Sequence, residues 1–292
     1  MKTMFSVMVI VVLACGVAAA DNVLINYPDF SSTTGLSLQG AASKVGNVLR
    51  VSGTSGANGD AGSAWYTTQQ PVTGGFSTTF HFQITQPQGI NDDDGNNGGD
   101  GFAFVVQNSS GTALGGFGGG IGYDGMTNSL AVEFDTFRNA GFGDPNGNHI
   151  SIHTGGTAAN SDNENHSLGI AASLPNMSDG NIHTAGILYL PGTMTVSLDG
   201  SDVLTVPLNL STKLNLNAGN AWVGFTAAFL AASENHDILN WSVSAVPEPS
   251  SFMLAAVGVL SLVACKYRRR TQLFRGGVRS KLPLCDTPNL SA

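Results

Sequence analysis

The sequence is short of cysteine and of basic residues, and each shortage excludes something. Three cysteines occur in 292 residues, at Cys15, Cys265 and Cys285. None falls between residues 21 and 249, so that stretch folds without disulfides and must rely on its core, with metal as the other means of support. The same stretch holds Lys44, Arg50, Arg138 and Lys213 as its only basic residues, against 19 of the 20 carboxylates, a balance of −15. Such a surface repels nucleic acid and anionic membrane and favours neutral ligands and cations. Seven of the 12 basic residues follow Ala264, so the two parts of the chain face different surroundings. Sustained helical periodicity is missing from the whole interior, which excludes a helical bundle.

Glycine, by contrast, is abundant at 38 residues, and Asn, Ser and Thr are plentiful. That mixture suits short strands joined by turns. From Phe76 to Ile84 apolar and polar residues alternate without a break, which predicts a half-buried strand with Phe76, Thr78, Phe80, Phe82 and Ile84 facing the core. Comparable runs recur at Val48–Val51, Phe102–Val106, Leu130–Phe134, His149–His153, Gly186–Leu190, Met194–Leu198, Trp222–Ala227 and Ile238–Val243. Clusters at Asn91–Gly101 and Gly155–Asn165 read as turns between them. Many short strands and no long helix predict an all-β jelly-roll β-sandwich, a single domain over residues 21–245. About 220 residues suffice for a substantial core.

Both ends read as targeting segments. Lys2, an apolar run from Met4 to Ala14 and small residues up to Ala20 have the order of a secretory signal, residues 1–20. At the other end Val246-Pro247-Glu248-Pro249 precedes an apolar run from Ser250 to Cys265 and the basic cluster Lys266 to Arg270. As a helix that run would be about 24 Å long, short of the roughly 30 Å hydrocarbon core. The basic cluster should stay cytoplasmic. This tripartite segment, residues 246–270, resembles the PEP-CTERM sorting signal of exported bacterial proteins, which an exosortase processes. It departs from that signal in continuing through residues 271–292, a basic cytoplasmic tail. A plain single-pass membrane anchor is the alternative. Both readings predict an exported protein at the cell envelope.

The segment from Ala131 to Ile150 is the most informative. Glu133, Asp135 and Phe137 are two apart and share one face of a strand, while Val132 and Phe134 face the core. A Gly/Pro/Asn loop follows, and His149 opens the next strand. A hairpin of this form returns His149 beside Glu133 and Asp135, with Asn139 and Asp144 in the connecting loop. Three carboxylates, an amide and an imidazole then converge. Crowded carboxylates repel, and a cation is the natural compensation. Oxygen ligands suit Ca²⁺; carboxylates with one imidazole suit Mn²⁺ or a similar transition ion. From these residue types alone a solvated acidic loop remains the alternative.

Val-Glu-Phe-Asp-Thr-Phe-x-Asn, then Asp-Pro, then His-Ile, resembles the metal-binding signature of the legume-type (L-type) lectins. The likeness extends over nearly all of residues 22–245, through Gly99-Asp100-Gly101-Phe102-Ala103-Phe104, Trp222-Val223-Gly224-Phe225-Thr226-Ala227-Ala228 and His236-Asp237-Ile238-Leu239-Asn240-Trp241-Ser242. The resemblance implies a concanavalin-like fold. It implies that Glu133, Asp135, Asp144 and His149 hold Mn²⁺. It further implies that Asp135, Asn139, Asp144 and the carbonyl of Phe137 hold Ca²⁺. It also implies a carbohydrate site in which Asp100 accepts hydrogen bonds from sugar hydroxyls, Gly119 donates its amide, Asn139 serves both ligands, and Phe137 walls the ring. The peptide bond beside Asp100 should be cis.

One loop departs from the family. Phe229-Leu230-Ala231-Ala232 replaces the small polar turn many relatives carry, so sugar specificity is not inherited. The acidic run Asp92-Asp93-Asp94-Gly95 reads as a solvated turn rather than a second Ca²⁺ loop. His81, His153, His166, His183 and His236 have no partner set in the pattern and read as structural or exposed. The expected function is therefore non-catalytic binding of glycans or exopolysaccharide. Two alternatives remain: a structural envelope protein on the same fold, and a glycoside hydrolase. The hydrolase pattern Glu-x-Asp-x-x-Glu begins at Glu133 but fails at Arg138, which removes the second carboxylate that retaining hydrolysis needs.

Overall fold

Residues 22–54 and 59–246 are described by the structure, a computed structural model. The signal segment, most of the sorting segment and the basic tail lie outside them. Among the described residues no helix is long and apolar enough to cross a membrane.

Two antiparallel eight-stranded sheets face each other. The first runs in the order Ser201–Leu208, Gly192–Leu198, Ile182–Leu190, Phe76–Gly89, Ala232–Ala245, Val48–Ser52 and Ser43–Val45, with Asn22–Tyr27 also paired to Ala232–Ala245. The second runs Ser167–Ala171, His149–Ala159, Thr127–Asp135, Gly101–Gln107, Asn220–Phe229, Asp60–Tyr66 and Leu36–Gly40, with Gln70–Pro71 on Asn220–Phe229. The architecture is the all-β sandwich that the alternation predicts. Helix is confined to a short turn at Leu210–Lys213 and three 3-10 turns among the described residues.

The core forms because period-two alternation puts the large side chains of each sheet on its inner face. Phe76, Thr78, Phe80, Phe82 and Ile84 are all buried, as the pattern predicts. Phe102 and Phe134, opposite each other in register, stack with centroids 4.7 Å apart, and both rings pack on Phe82. Trp241 meets Phe225 edge-on at 5.0 Å and donates its indole N–H to Thr78 Oγ1 at 3.0 Å.

Gly101–Gln107 is buried on both faces. A second apolar cluster covers the outside of its sheet, in which Trp65, Ile121, Tyr123 and Met126 pack on Ala103, Val105 and Ala131. The glycine-rich segment that follows this strand therefore folds back over the sheet, and a strand covered on both sides reads as a continuous apolar run.

The turn expected at Gly155–Asn165 begins later than predicted. The strand from His149 runs on to Ala159, with register shifts on either side of Gly156, whose φ of +64° favours glycine. A 3-10 turn, Glu164–His166, then leads into the edge strand.

Candidate metal centre and adjoining pocket

The strand Thr127–Asp135 sends Leu130, Val132 and Phe134 into the core between the sheets. Glu133 and Asp135 therefore emerge on the other side, beneath the outer cover, each only 2% exposed. The next strand pairs antiparallel, setting His149 opposite Asp135 and Ser151 opposite Glu133. Hairpin register alone thus brings Glu133, Asp135 and His149 together.

His149 is fully buried. Its Nδ1 is 2.9 Å from the carbonyl oxygen of Asn146 and 3.8 Å from Asp135 Oδ1. Its Nε2 lies 2.9 Å from Glu164 Oε1 and 3.8 Å from Glu133 Oε1. Glu133 also accepts from the Tyr123 hydroxyl, and from Ser151 Oγ at 3.4 Å. Burial raises the Glu133 carboxyl to about 7 against the pull of His153 and His149. Asp135 is pushed well above the usual carboxylate range by burial, then by the charges of Glu133 and Asp144. Burial lifts Asp144 to about 6, although the amide of Asn139, 2.5 Å from its Oδ2, pulls the other way. Burial works against charge on His149, but its hydrogen bond to Glu164 and the surrounding carboxylates outweigh it and raise its pKa. Burial likewise opposes charge on Glu164, yet His149 and His153 hold that carboxyl well below the usual range.

Three buried carboxylates with raised pKa values make an oxygen-rich cage short of positive charge. Arg138, the basic residue of the loop, turns its guanidinium away to Asp94 at 3.1 Å. Asn139 Oδ1 and Glu164 Oε2 are buried without a hydrogen-bond partner. These orphaned acceptors and the carboxylate–imidazole donor set fit divalent cations. Glu133, His149 and Glu164 bring ligand atoms within 4.8 Å of one another.

Glu164, Tyr123 and His153 are absent from the site read from the sequence. His153 corrects the expectation of a residue without partners. It is fully buried, with Nε2 2.7 Å from Ser151 Oγ and 3.6 Å from Glu164 Oε1. Period two was the available signal, since His149, Ser151 and His153 share one strand face. No local signal marks Glu164, which arrives from a turn fifteen residues after His149. His183 and His236 are also buried, bound to Asp199 at 2.8 Å and Ser52 at 2.8 Å.

The acidic run from Asp92 is the expected turn, with Asp93 and Asp94 exposed, but its first carboxylate is buried and not solvated. Asp92 is 8% exposed and accepts from the backbone amides of Asp94, Asn96 and Arg138. Asp94 accepts from the amide of Gly147 at 3.1 Å and pairs with Arg138. Asp92 and Asp94 clamp both ends of the loop between Asp135 and His149, so these two carboxylates are occupied by protein donors, while Asp93 is exposed.

Beside this centre opens a pocket of about 510 Å³. Asp100, Gly119, Phe137 and Asn139, the four residues the resemblance assigns to carbohydrate, all line it. The Gly99–Asp100 peptide is cis. Asp100 is 4% exposed, with Oδ2 buried and unpartnered. Burial raises its carboxyl to about 7, against the pull of the Leu230 amide. A Cβ added at Gly119 would stand 2.5 Å from Asn139 Oδ1 and 2.9 Å from Phe142 Cε2, so any larger residue must push those side chains aside. The rim is apolar: Ile90, Phe117, Phe142 and Leu230 line the pocket and are 54%, 61%, 38% and 56% exposed.

Comparison with known proteins bears on the chain's family and fold. The legume lectin domain matches residues 22–254, and the PEP-CTERM protein-sorting motif matches residues 245–270. A probable L-type lectin-domain containing receptor kinase of Arabidopsis thaliana is 32% identical over 195 residues, 61% of this chain. The chain spans only 27% of that kinase's length. A lectin of Leucomphalos mildbraedii is 30% identical over 141 residues, 47% of this chain and 55% of its own. Among solved structures, the winged bean acidic lectin complexed with methyl-α-D-galactose superposes with a TM-score of 0.60 and 28% identity, over 77% of this chain and 98% of that one. The Lotus tetragonolobus seed lectin gives 0.61 and 25%, over 77% and 99%.

Proposed function

Since the chain belongs to the legume lectin domain family, we propose that it is a non-catalytic carbohydrate-binding protein of the cell envelope whose site depends on bound Ca²⁺ and a transition ion such as Mn²⁺. One observation carries this reading. Asp100 Oδ2 is a buried, unpartnered acceptor in a residue that lines the pocket together with Asn139, whose own unpartnered Oδ1 would go to Ca²⁺. Orphaned buried acceptors cost roughly 1–3 kcal/mol each. The adjacent hydroxyls of a neutral sugar are donors of matching chemistry, and an acidic domain does not repel them. Phe137 and the apolar rim offer surface to the C–H face of a ring.

In this reading Glu133, Asp135, Asp144 and His149 hold the transition ion. Asp135, Asp144, Asn139 and the Phe137 carbonyl hold Ca²⁺. The ions would supply the positive charge the cage lacks and orient Asn139 toward the pocket. Hydrolysis finds no support, because Arg138 stands where a second carboxylate would be needed and is engaged with Asp94. The PEP-CTERM motif supports export, sorting to the envelope and exosortase processing. The partners are then envelope or extracellular glycans and exopolysaccharide, with the membrane reached through the C-terminal segment, and no nucleic acid.

Leu230 at the rim favours a second reading, a structural envelope protein that keeps the metals but binds no sugar. A glycan array probed with the full chain, with and without chelator, separates the two. Retention of particular glycans, lost on chelation and restored by Ca²⁺ with Mn²⁺, is expected. Metal binding with no glycan retained would leave the structural reading. Turnover of a retained glycan would restore the enzyme.

A further inference from the structure

We propose that Glu164 is a direct ligand of the transition ion, with His153 as the positioning residue behind its carboxylate. This rests on the metal-dependent reading above and extends it to a residue that the family signature does not contain.

The argument starts from the His149 ring. A carbonyl oxygen can only accept, so the 2.9 Å contact with Asn146 requires the proton on Nδ1. Nε2 is then the free nitrogen, and it faces Glu164 Oε1 at 2.9 Å and Glu133 Oε1 at 3.8 Å. A neutral imidazole in this position would aim its lone pair at two carboxylates. Only a proton or a metal ion between them removes that repulsion. Anchoring of the remote ring nitrogen on a backbone carbonyl is also how metal-bound histidines are commonly oriented.

Glu164 meets the remaining conditions for a ligand. Its side chain is 4% exposed, and its Oε2 has no hydrogen-bond partner. Its ligand atom, with those of Glu133 and His149, forms the one group of three that lies within 4.8 Å among the described residues. Among the described residues, the basic groups paired with it are the two histidines, His149 at 2.9 Å and His153 at 3.6 Å. His153, fixed by Ser151 at 2.7 Å, stands beside Glu164 Oε1 and limits where that oxygen can move. Carboxylates with imidazole suit a first-row transition ion such as Mn²⁺, whereas Ca²⁺ takes oxygen ligands alone. Glu164 should therefore act on one ion and not the other.

Coordination arithmetic gives a second consequence. The signature supplies four protein ligands, and octahedral Mn²⁺ has six positions. With Glu164 bound, one position remains for water in place of two.

The test uses the full chain, stripped of metal and titrated separately with Mn²⁺ and Ca²⁺ by calorimetry. Glu164→Gln should weaken Mn²⁺ binding at least tenfold and change Ca²⁺ affinity by less than threefold. Parental Mn²⁺ affinity in Glu164→Gln would overturn the proposal and leave the carbohydrate reading intact. Equal loss of both ions, in a variant that melts like the parent when metal-free, would overturn it as well. If that variant fails to fold, water-proton relaxation of the Mn²⁺-loaded parent decides. One inner-sphere water supports Glu164 as a ligand, and two overturn it. A parental chain that binds no transition ion would end both this proposal and the metal dependence of the carbohydrate site.

Discussion

The amide of Thr136 donates to the carbonyl oxygen of Asp100 over 2.9 Å. That single backbone bond joins the residue after Asp135, on the metal strand, to the residue whose carboxylate lines the pocket. The two sites are therefore neighbours through the sheet, where Gly101 pairs in register with Asp135.

The division of labour between these strands gives the first prediction. Asp100→Asn should leave metal content unchanged and the metal-free melting temperature equal or slightly higher, because it removes a buried carboxyl already raised to about 7. Glycan binding should weaken roughly 10- to 100-fold, since charge-assisted hydrogen bonds contribute about 1.5–3 kcal/mol each. Asp135→Ala should abolish metal and glycan binding together. Calorimetry of both variants against any glycan found on the array checks this. Normal binding by Asp100→Asn would refute the site. Parental affinity in this type of open pocket should be about millimolar, or roughly 4 kcal/mol, with clustering on an envelope raising avidity.

Gly119 offers a steric test. A Cβ there meets Asn139 Oδ1 at 2.5 Å and Phe142 Cε2 at 2.9 Å. Gly119→Ala should displace Asn139, and so weaken both Ca²⁺ and glycan binding several-fold. The fold should survive, because the atoms a Cβ there would meet first belong to two side chains and not to backbone. Titration with Ca²⁺ and a melting curve distinguish local displacement from unfolding.

Stability of the chelated protein should fall with rising pH. Asp100 and Glu133 are raised to about 7 and Asp144 to about 6, while unfolded carboxylates titrate near about 4. The folded chain then holds protons that the unfolded chain has released. The stability they confer is complete below about pH 4 and is lost as pH passes through 6 to 7. The raised pKa values of His149 and His153 act in the same direction. Glu164, held low, contributes above its unfolded value and loses that contribution only in acid. Between pH 5 and 8 the metal-free melting temperature should drop by several degrees. Saturating Ca²⁺ and Mn²⁺ should flatten or reverse the slope, because the ions compete with these protons. Calorimetric scans with and without chelator measure it, and identical slopes would contradict the site.

Topology is the fourth prediction. The domain should be found outside the cytoplasm, with Arg268 to Arg270 on the cytoplasmic side before processing. If an exosortase acts, mature envelope protein should end near Pro249. Mass spectrometry of that protein decides, and an intact tail on a surface-exposed chain would favour a plain anchor.

Sandwich class was legible because alternation in Phe76–Ile84 is a backbone property, since every second side chain of a strand shares a face. The hairpin that joins Glu133 and Asp135 to His149 was legible for a related reason, since both strands and their loop are contiguous. Other features were decided only in three dimensions. The role of the Asp92 run depends on amides of Arg138 and Gly147, about fifty residues on. The outer cover that buries Glu133 depends on the glycine-rich segment folding back over its own sheet.

Sequence by itself determined which residue types were available and which face of a strand each would occupy. Tertiary structure decided which of those faces share a space. Asp100 and Asn139 line one pocket, and Glu164 meets His149, because strand register and the bulges at Gly156 set where distant loops return. Within a hairpin the alternation and the turn set register, but where loops distant in the chain return is an outcome of packing two sheets on one core.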